Sequence, residues 1–288
     1  MNVLKVTPRG FCLGVVKSIK LAKETVIKYP NHKIYMIGLL VHNKIIVNEL
    51  ESFGIKVIDD WKKSRYEIIK EIDKNSVVIF SAHGTDHKVI ELAKSRNLIC
   101  VDTKCEWVAI TEKLILEHLK KDYKIIFIGK KYHPETIALT SLNENIYLIT
   151  DLEEVNDLKI ISNKIFITNQ TTLSILDTNK IYDALIKKYP HAESKNDICE
   201  ATLLRQQAVL NLDAASVDLL YVVGDERSNN TLKLVELGNN KGIKTLRINN
   251  KNDINKNDLK LVKKVAVTAG ASTSSIIQNQ VIKFLEQI

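Results

Sequence analysis

The sequence predicts a parallel α/β protein in which one architectural unit is used three times. Two observations predict it. Strand-like and helix-like runs alternate along the whole chain, the pattern of parallel sheets covered by helices. Three cysteines, Cys12, Cys105 and Cys199, recur at intervals of 93 and 94 residues, each just ahead of an amphipathic run. About thirty residues after each, a polar residue follows an apolar run: His42, His133 and Ser228. A repeat this long belongs to stacked domains rather than solenoid turns.

The elements follow in order. The clearest strands are 33–37, 77–80, 124–128, 164–167, 219–223 and 265–267. Their nearly continuous apolar character suits strands covered on both faces. Helices are expected from Val15 (with Ile19, Ala22 and Val26), from Trp107 (with Val108, Ile115 and Leu119) and near Glu200 (with Ala201, Leu204, Ala208 and Leu212). These spacings put the apolar residues on one face. The short strand Val3 to Thr7 leads into Cys12 as Leu98 to Val101 leads into Cys105, so it is expected to pack with the last unit. The Asn/Lys-rich stretch 249–258 reads as a surface loop. The domains expected are 14–98, 99–195, and 1–13 together with 196–288.

The chain has 288 residues, 45% hydrophobic and 26% charged, a globular composition. No apolar stretch approaches the length of a membrane span, and the N-terminus alternates like a strand without a signal pattern, so a cytoplasmic protein off the membrane is expected. Four cysteines in a chain this long do not make a secreted disulfide scaffold. The net charge of +8 is spread along the chain with no dense basic run, which argues against nucleic acid. An anionic small substrate or an acidic electron donor accounts for it as well.

Open parallel sheets bind ligands beyond the carboxyl ends of their strands. The six strands run into Gly38 to Asn43, Ser81 to Gly84, Gly129 to Glu135, Thr168 to Thr172, Gly224 to Asn230 and Thr268 to Thr273. These segments are rich in hydrogen-bond donors and poor in carboxylates; Glu135, Asp225 and Glu226 are the exceptions. Such a set suits a phosphate or diphosphate. His32, His87, His118 and His191 lack the strand-end context and read as surface or packing residues, as does Cys100 inside its strand. Cys12, Cys105 and Cys199 stand where loops become helices, a setting that favours the thiolate. Three thiolates around one point make a metal site, either an iron–sulfur cluster or zinc with a histidine as fourth ligand. The absence of a CxxC pair argues against the common zinc folds.

Eight short motifs occur in order: Arg9 to Val15 around Cys12, Val41-His42-Asn43, Ser81-Ala82-His83-Gly84, His133-Pro134-Glu135, Thr168 to Thr172, Cys199 with Arg205-Gln206, Ser228-Asn229-Asn230 and Thr268 to Ser272. Together they make the chain resemble the 4-hydroxy-3-methylbut-2-enyl diphosphate reductases over essentially its whole length. The resemblance implies three quasi-symmetric α/β domains around a central cavity. It implies a 4Fe–4S cluster on Cys12, Cys105 and Cys199 with one iron open, and a two-electron, two-proton reductive dehydroxylation giving isopentenyl and dimethylallyl diphosphates. It assigns the proton source to Glu135, orientation of the departing hydroxyl to Thr171, and diphosphate binding to His42, His83, His133, Ser228, Asn229, Asn230 and Ser272, with His133 also a proton relay. It implies a ferredoxin or flavodoxin as electron donor. A monomer is expected, with a dimer as the alternative.

The chain departs from the family pattern at Tyr132, where glycine is common, around Leu139, and at Lys104 and Glu106, which flank Cys105 where Thr and Pro are usual. These departures bear on rate and product ratio, not on any proposed ligand. The competing reading is a non-catalytic iron–sulfur or zinc-binding sensor or scaffold on the same fold, which needs the cysteines but not Glu135 or Thr171.

Overall fold

Every sheet in the fold is parallel and built in one strand order. The structure is a computed structural model that describes residues 1–60 and 62–288. The chain opens with β1 (Asn2–Lys5) and α1 (Leu13–Lys28). There follow β2 (Ile34–Ile37), α2 (Lys44–Ser52), β3 (Ile55–Ile58), α3 (Arg65–Glu71), β4 (Val77–Phe80), α4 (His87–Ser95) and β5 (Ile99–Asp102). Next come α5 (Glu106–Leu119), β6 (Lys124–Ile128), α6 (Pro134–Thr140), β7 (Ile146–Ile149), α7 (Glu154–Asp157), β8 (Ile165–Asn169), α8 (Ile175–Lys188) and β9 (Glu193–Ser194). The last stretch holds α9 (Glu200–Leu210), β10 (Leu219–Val223), α10 (Asn229–Asn240), β11 (Thr245–Ile248), β12 (Lys264–Ala269) and α11 (Ser275–Glu286).

Three four-stranded sheets result: β3-β2-β4-β5, β7-β6-β8-β9 and β11-β10-β12-β1. The third takes its fourth strand from the N-terminus: Val3 pairs with Val265 and Lys5 with Val267, as the sequence leads one to expect. The six strands most legible in the sequence are the two central strands of each sheet. Val77, Val78, Ile79 and Phe80 show why, each being at most 1% exposed. Burying a large apolar side chain stabilises by about 1.5–3 kcal/mol, so central strands must be apolar on both faces. Edge strands β3, β7, β9 and β11 keep polar or half-exposed positions and were not foreseen. The stretch 249–258 is exposed as expected, but it winds into two 3₁₀ turns and anchors one apolar side chain, Ile254.

The chain divides into two units. One comprises Met1–Val15, His42–Lys44 and Cys199–Ile288 and holds the β11-β10-β12-β1 sheet. Its core packs Tyr221, Val265, Val267 and Val281 on one face of the sheet and Leu220, Val222, Leu234 and Ala266 on the other. The other comprises Val16–Val41 and Ile45–Ile198 and holds the remaining two sheets. Its cores centre on Ile37, Val78 and Phe80, and on Ile126, Ile167 and Leu185 with Phe127 and Ile115 opposite.

Candidate active site

In the unit with two sheets, the acid is built by the turn between β6 and α6. The chain leaves β6 through Gly129 and reaches Tyr132, whose φ of 65° lies in the left-handed region. His133 then caps α6: its Nδ1 accepts a hydrogen bond from the Glu135 backbone N–H at 3.2 Å. A backbone N–H only donates, so Nδ1 carries no proton and the neutral ring holds its proton on Nε2. Pro134, with no N–H to satisfy, suits the first helical position.

This cap turns Glu135 inward until it is 1% exposed. Thr171, just past β8, donates to both carboxyl oxygens, from its backbone N to Oε1 at 2.7 Å and from its hydroxyl to Oε2 at 3.0 Å. Burial pushes the Glu135 carboxyl up from 4.5 to about 7; the two Thr171 bonds hold it down, and the charge of Asp197 adds to the rise. Asp197 is itself buried and accepts from Thr168 Oγ1 and Lys195 Nζ, both at 2.7 Å. A carboxyl poised near neutral pH can both hold and release a proton.

His83 follows β4, and its ring meets that of His133 edge-on, with centroids 5.4 Å apart and planes at 89°. The loop carrying it is fixed from two sides. The guanidinium of half-buried Arg65 donates to the Gly84 carbonyl at 3.2 Å and to Thr85 Oγ1 at 3.3 Å. Gly38, after β2, lies against the same guanidinium with φ 74°; a side chain there would be strained by that φ, and its Cβ, 2.6 Å from Arg65 Nη2, would push the guanidinium aside. On the other side, Cys105, the residue before α5, donates its backbone N–H to the Ala82 carbonyl at 2.9 Å. The sequence departures nearby are locally satisfied. Lys104 pairs with Asp102 and Glu112, Glu106 with Lys17, and Leu139 is fully buried in the core.

In the other unit, Cys12 and Cys199 flank one buried cation. Cys199 is the N-cap of α9, and the thiol of Cys12 accepts from the Val15 N–H in the first turn of α1 at 3.5 Å. Arg205, one and a half turns into α9, is 3% exposed. Burial draws its guanidinium down from the usual range, and its electrostatic interaction with Cys12 and Cys199 draws it back up. The diphosphate candidates surround the ends of β10 and β12. Ser228 caps α10 by accepting from Thr231 N at 3.3 Å, and Asn229 and Asn230 open the helix, where backbone N–H groups favour an anion. The Asn230 amide is largely committed within the protein, accepting from Ala271 N at 3.1 Å and donating to Thr202 Oγ1 at 3.1 Å. Ser272 donates to the His42 carbonyl at 3.3 Å, and buried Asn43 donates to the Ser272 carbonyl.

The family model described as "LytB protein" matches residues 3–286. The chain belongs to the LytB protein family. A 4-hydroxy-3-methylbut-2-enyl diphosphate reductase of Malacoplasma penetrans is 47% identical, the match covering all of this chain and 98% of that one. The enzyme of the same name in Bacillus subtilis is 41% identical, over all of this chain and 91% of the relative. A solved structure of E-1-hydroxy-2-methyl-but-2-enyl-4-diphosphate reductase from Plasmodium falciparum superposes with a TM-score of 0.90 at 31% identity, covering 99% of this chain and 87% of that one. A second, described as the terminal enzyme of the non-mevalonate pathway, superposes at 0.69 with 26% identity over all of both chains.

For this LytB-family chain, the structure brings Glu135 to Thr171, His83 to His133, Cys12 and Cys199 to one arginine, and Ser272 to the His42–Asn43 turn. Sequence reasoning singled out no role for Arg65, Asn43 or Arg205. Arg205 gave no readable signal: the face expected to be buried fails, since Leu204 is exposed and Ala201 and Ala208 are half-buried, and the helix instead buries Thr202, Arg205, Gln206 and Val209. Arg65 and Asn43 had none either, because their partners are backbone carbonyls and a side chain remote in sequence.

Proposed function

We propose that this chain is a 4-hydroxy-3-methylbut-2-enyl diphosphate reductase, replacing the allylic C–O bond by C–H with two electrons and two protons and releasing water. The observation that carries the reading is Glu135, a buried carboxyl poised near neutrality and gripped through both oxygens by Thr171. Glu135 gives its proton to the departing hydroxyl, turning a poor leaving group into water. The Thr171 hydroxyl, which donates to Glu135, has lone pairs left to receive the substrate hydroxyl and orient it. His133 presents Nε2–H, a donor suited to an anion. With His42, His83, Ser228, Asn229, Asn230 and Ser272 it holds the diphosphate, whose binding away from the reacting carbon supplies orientation.

The donor set fits a cluster on Cys12, Cys105 and Cys199. All three begin helices, none is in a disulfide, and two of them share a buried cation that suits an anionic group. A 4Fe–4S cluster with three cysteine ligands supplies one-electron reduction at an iron with an open position. The electrons come from a small carrier of the ferredoxin or flavodoxin class. Among the described residues no helix is long and apolar enough to cross a membrane, and we place the enzyme in the cytoplasm as a monomer.

Anaerobic purification tests this. The protein is expected to be brown, to lose its chromophore in Cys12→Ser, and to turn over the diphosphate with a reduced one-electron donor. Glu135→Gln should keep the chromophore and lose about 10²–10⁴-fold in turnover, the usual worth of a general acid. A colourless, zinc-loaded protein from the same preparation would overturn the reading.

A further inference from the structure

We propose that Arg205 is a positioning residue that clamps the Cys12 loop to the Cys199 helix and offsets the negative charge of both thiolates; this rests on the cluster assignment above. The two ends of its guanidinium go to different segments. Nη2 donates to the Gly10 carbonyl at 2.7 Å, 195 residues away in sequence and two residues before Cys12. Nη1 donates to the Ala201 carbonyl at 2.9 Å, two residues after Cys199. One rigid, planar fork rooted in α9 thus ties the Cys12 loop to the first turn of the helix that Cys199 caps, which a lysine with a single point charge cannot do. The third nitrogen, Nε, is buried and has no hydrogen-bond partner among the described residues. A buried donor left in that state is costly, and it is accounted for if the guanidinium answers to charge as well as to the two carbonyls.

The loop it holds has little freedom to adjust. Gly10 has φ 79°, and a Cβ there would press to 3.3 Å from Ser275 Cβ. Beyond it, the Cys12 N–H is fixed to the Ala271 carbonyl at 3.0 Å. Removing the clamp therefore releases the Cys12 end rather than letting the loop repack around a smaller side chain.

Two variants separate the clamp from the charge. Arg205→Lys keeps the charge and loses one of the two carbonyl bonds; Arg205→Met keeps bulk and loses both functions. In the cluster-free chain, amide hydrogen exchange at Cys12 is expected to rise at least tenfold in both variants while exchange in β10 stays unchanged. In anaerobically loaded protein, both should lose iron to a chelator at least tenfold faster than the parent. Arg205→Met alone should disfavour the reduced, more negative cluster by about tenfold, or about 59 mV for one electron. Parent-like exchange at Cys12 in both variants overturns the clamp, and a parent-like potential in loaded Arg205→Met overturns the charge role. If Arg205→Met does not fold, Arg205→Lys still decides the clamp. A parent protein that takes up no cluster sinks the functional reading instead, because exchange at Cys12 is read without the cluster.

Discussion

Glu135 and Arg205 are both almost wholly buried and both ionisable, yet the fold treats them in opposite ways. Glu135 sits where its charge is unwelcome: burial dominates, two Thr171 hydrogen bonds compensate only in part, and the carboxyl rises to about 7. Arg205 also suffers burial, but two carbonyls and two cysteines answer it, and a guanidinium keeps its proton across the accessible pH range. The difference teaches how one chain supplies both a labile proton and a fixed charge. A group meant to exchange protons is buried between neutral donors and a second acid; a group meant to hold geometry is given carbonyls that cannot leave.

The sharpest way to break that comparison is to ask what the buried carboxyl costs. Below pH 4.5, the ordinary carboxyl value, folded and unfolded chains both carry the proton and the burial is free of charge effects. Between 4.5 and about 7 only the folded chain keeps it, so stability falls as pH rises. Above about 7 the folded chain holds a buried carboxylate that the unfolded chain would leave in water, a cost of up to about 3 kcal/mol. Glu135→Gln has the same shape, and Thr171 can donate its N–H to the amide oxygen and turn its hydroxyl to accept from the amide nitrogen. We expect the variant to gain up to about 3 kcal/mol at pH 8 and little near pH 4.5, measured by urea unfolding of the cluster-free chain. Equal stability gains at both pH values would show that burial does not set the Glu135 titration.

A smaller change sharpens the same point from the partner's side. The Thr171 hydroxyl favours the charged carboxylate, so Thr171→Val removes a hydrogen bond worth about 1.5–3 kcal/mol. The carboxyl should rise further, and the alkaline limb of the turnover profile should move from near 7 to about 8–9. The rate below that limb should also fall, because the departing hydroxyl loses its orienting partner. A profile whose alkaline limb stays in place would assign that limb to another group.

How much of this could be read in advance divides along physical lines. Central strands were legible because burial on both faces forces an unbroken apolar run, and their polar ends then mark the site. Helices α1, α5 and α9 were legible through the same cysteines that begin them. Helices α2, α3, α4, α6, α7, α8, α10 and α11 were not singled out; α3 and α6 are seven residues each and α7 four, too short to establish a period. Nor could sequence foresee that Asn230 would commit its amide to Ala271 and Thr202, since those partners lie 41 and 28 residues away. The acid itself was legible only through resemblance; its environment, which sets its titration, belongs to the packing of Thr171 and Asp197 around it.

The comparison extends to the backbone leading into each site. Two residues before Cys12 the chain takes a left-handed turn at Gly10, with φ 79°; one residue before His133 it takes another at Tyr132, with φ 65°. The first favours glycine on two counts, its left-handed φ and a Cβ position only 3.3 Å from Ser275 Cβ. The second has room, since Tyr132 is 78% exposed, and the chain carries a tyrosine there. A side chain in the left-handed region costs about 1–2 kcal/mol, whereas glycine gives back about 0.5–1 kcal/mol in unfolded-state entropy. Tyr132→Gly is therefore expected to stabilise the chain by no more than about 1.5 kcal/mol, read by urea unfolding. It should leave the titration of Glu135 where it is, because the His133 cap that turns Glu135 inward needs only the turn, not the tyrosine ring. A loss of stability would mean that the ring, which lies near the Lys131 ammonium at 5.4 Å, contributes more than the strained backbone takes away.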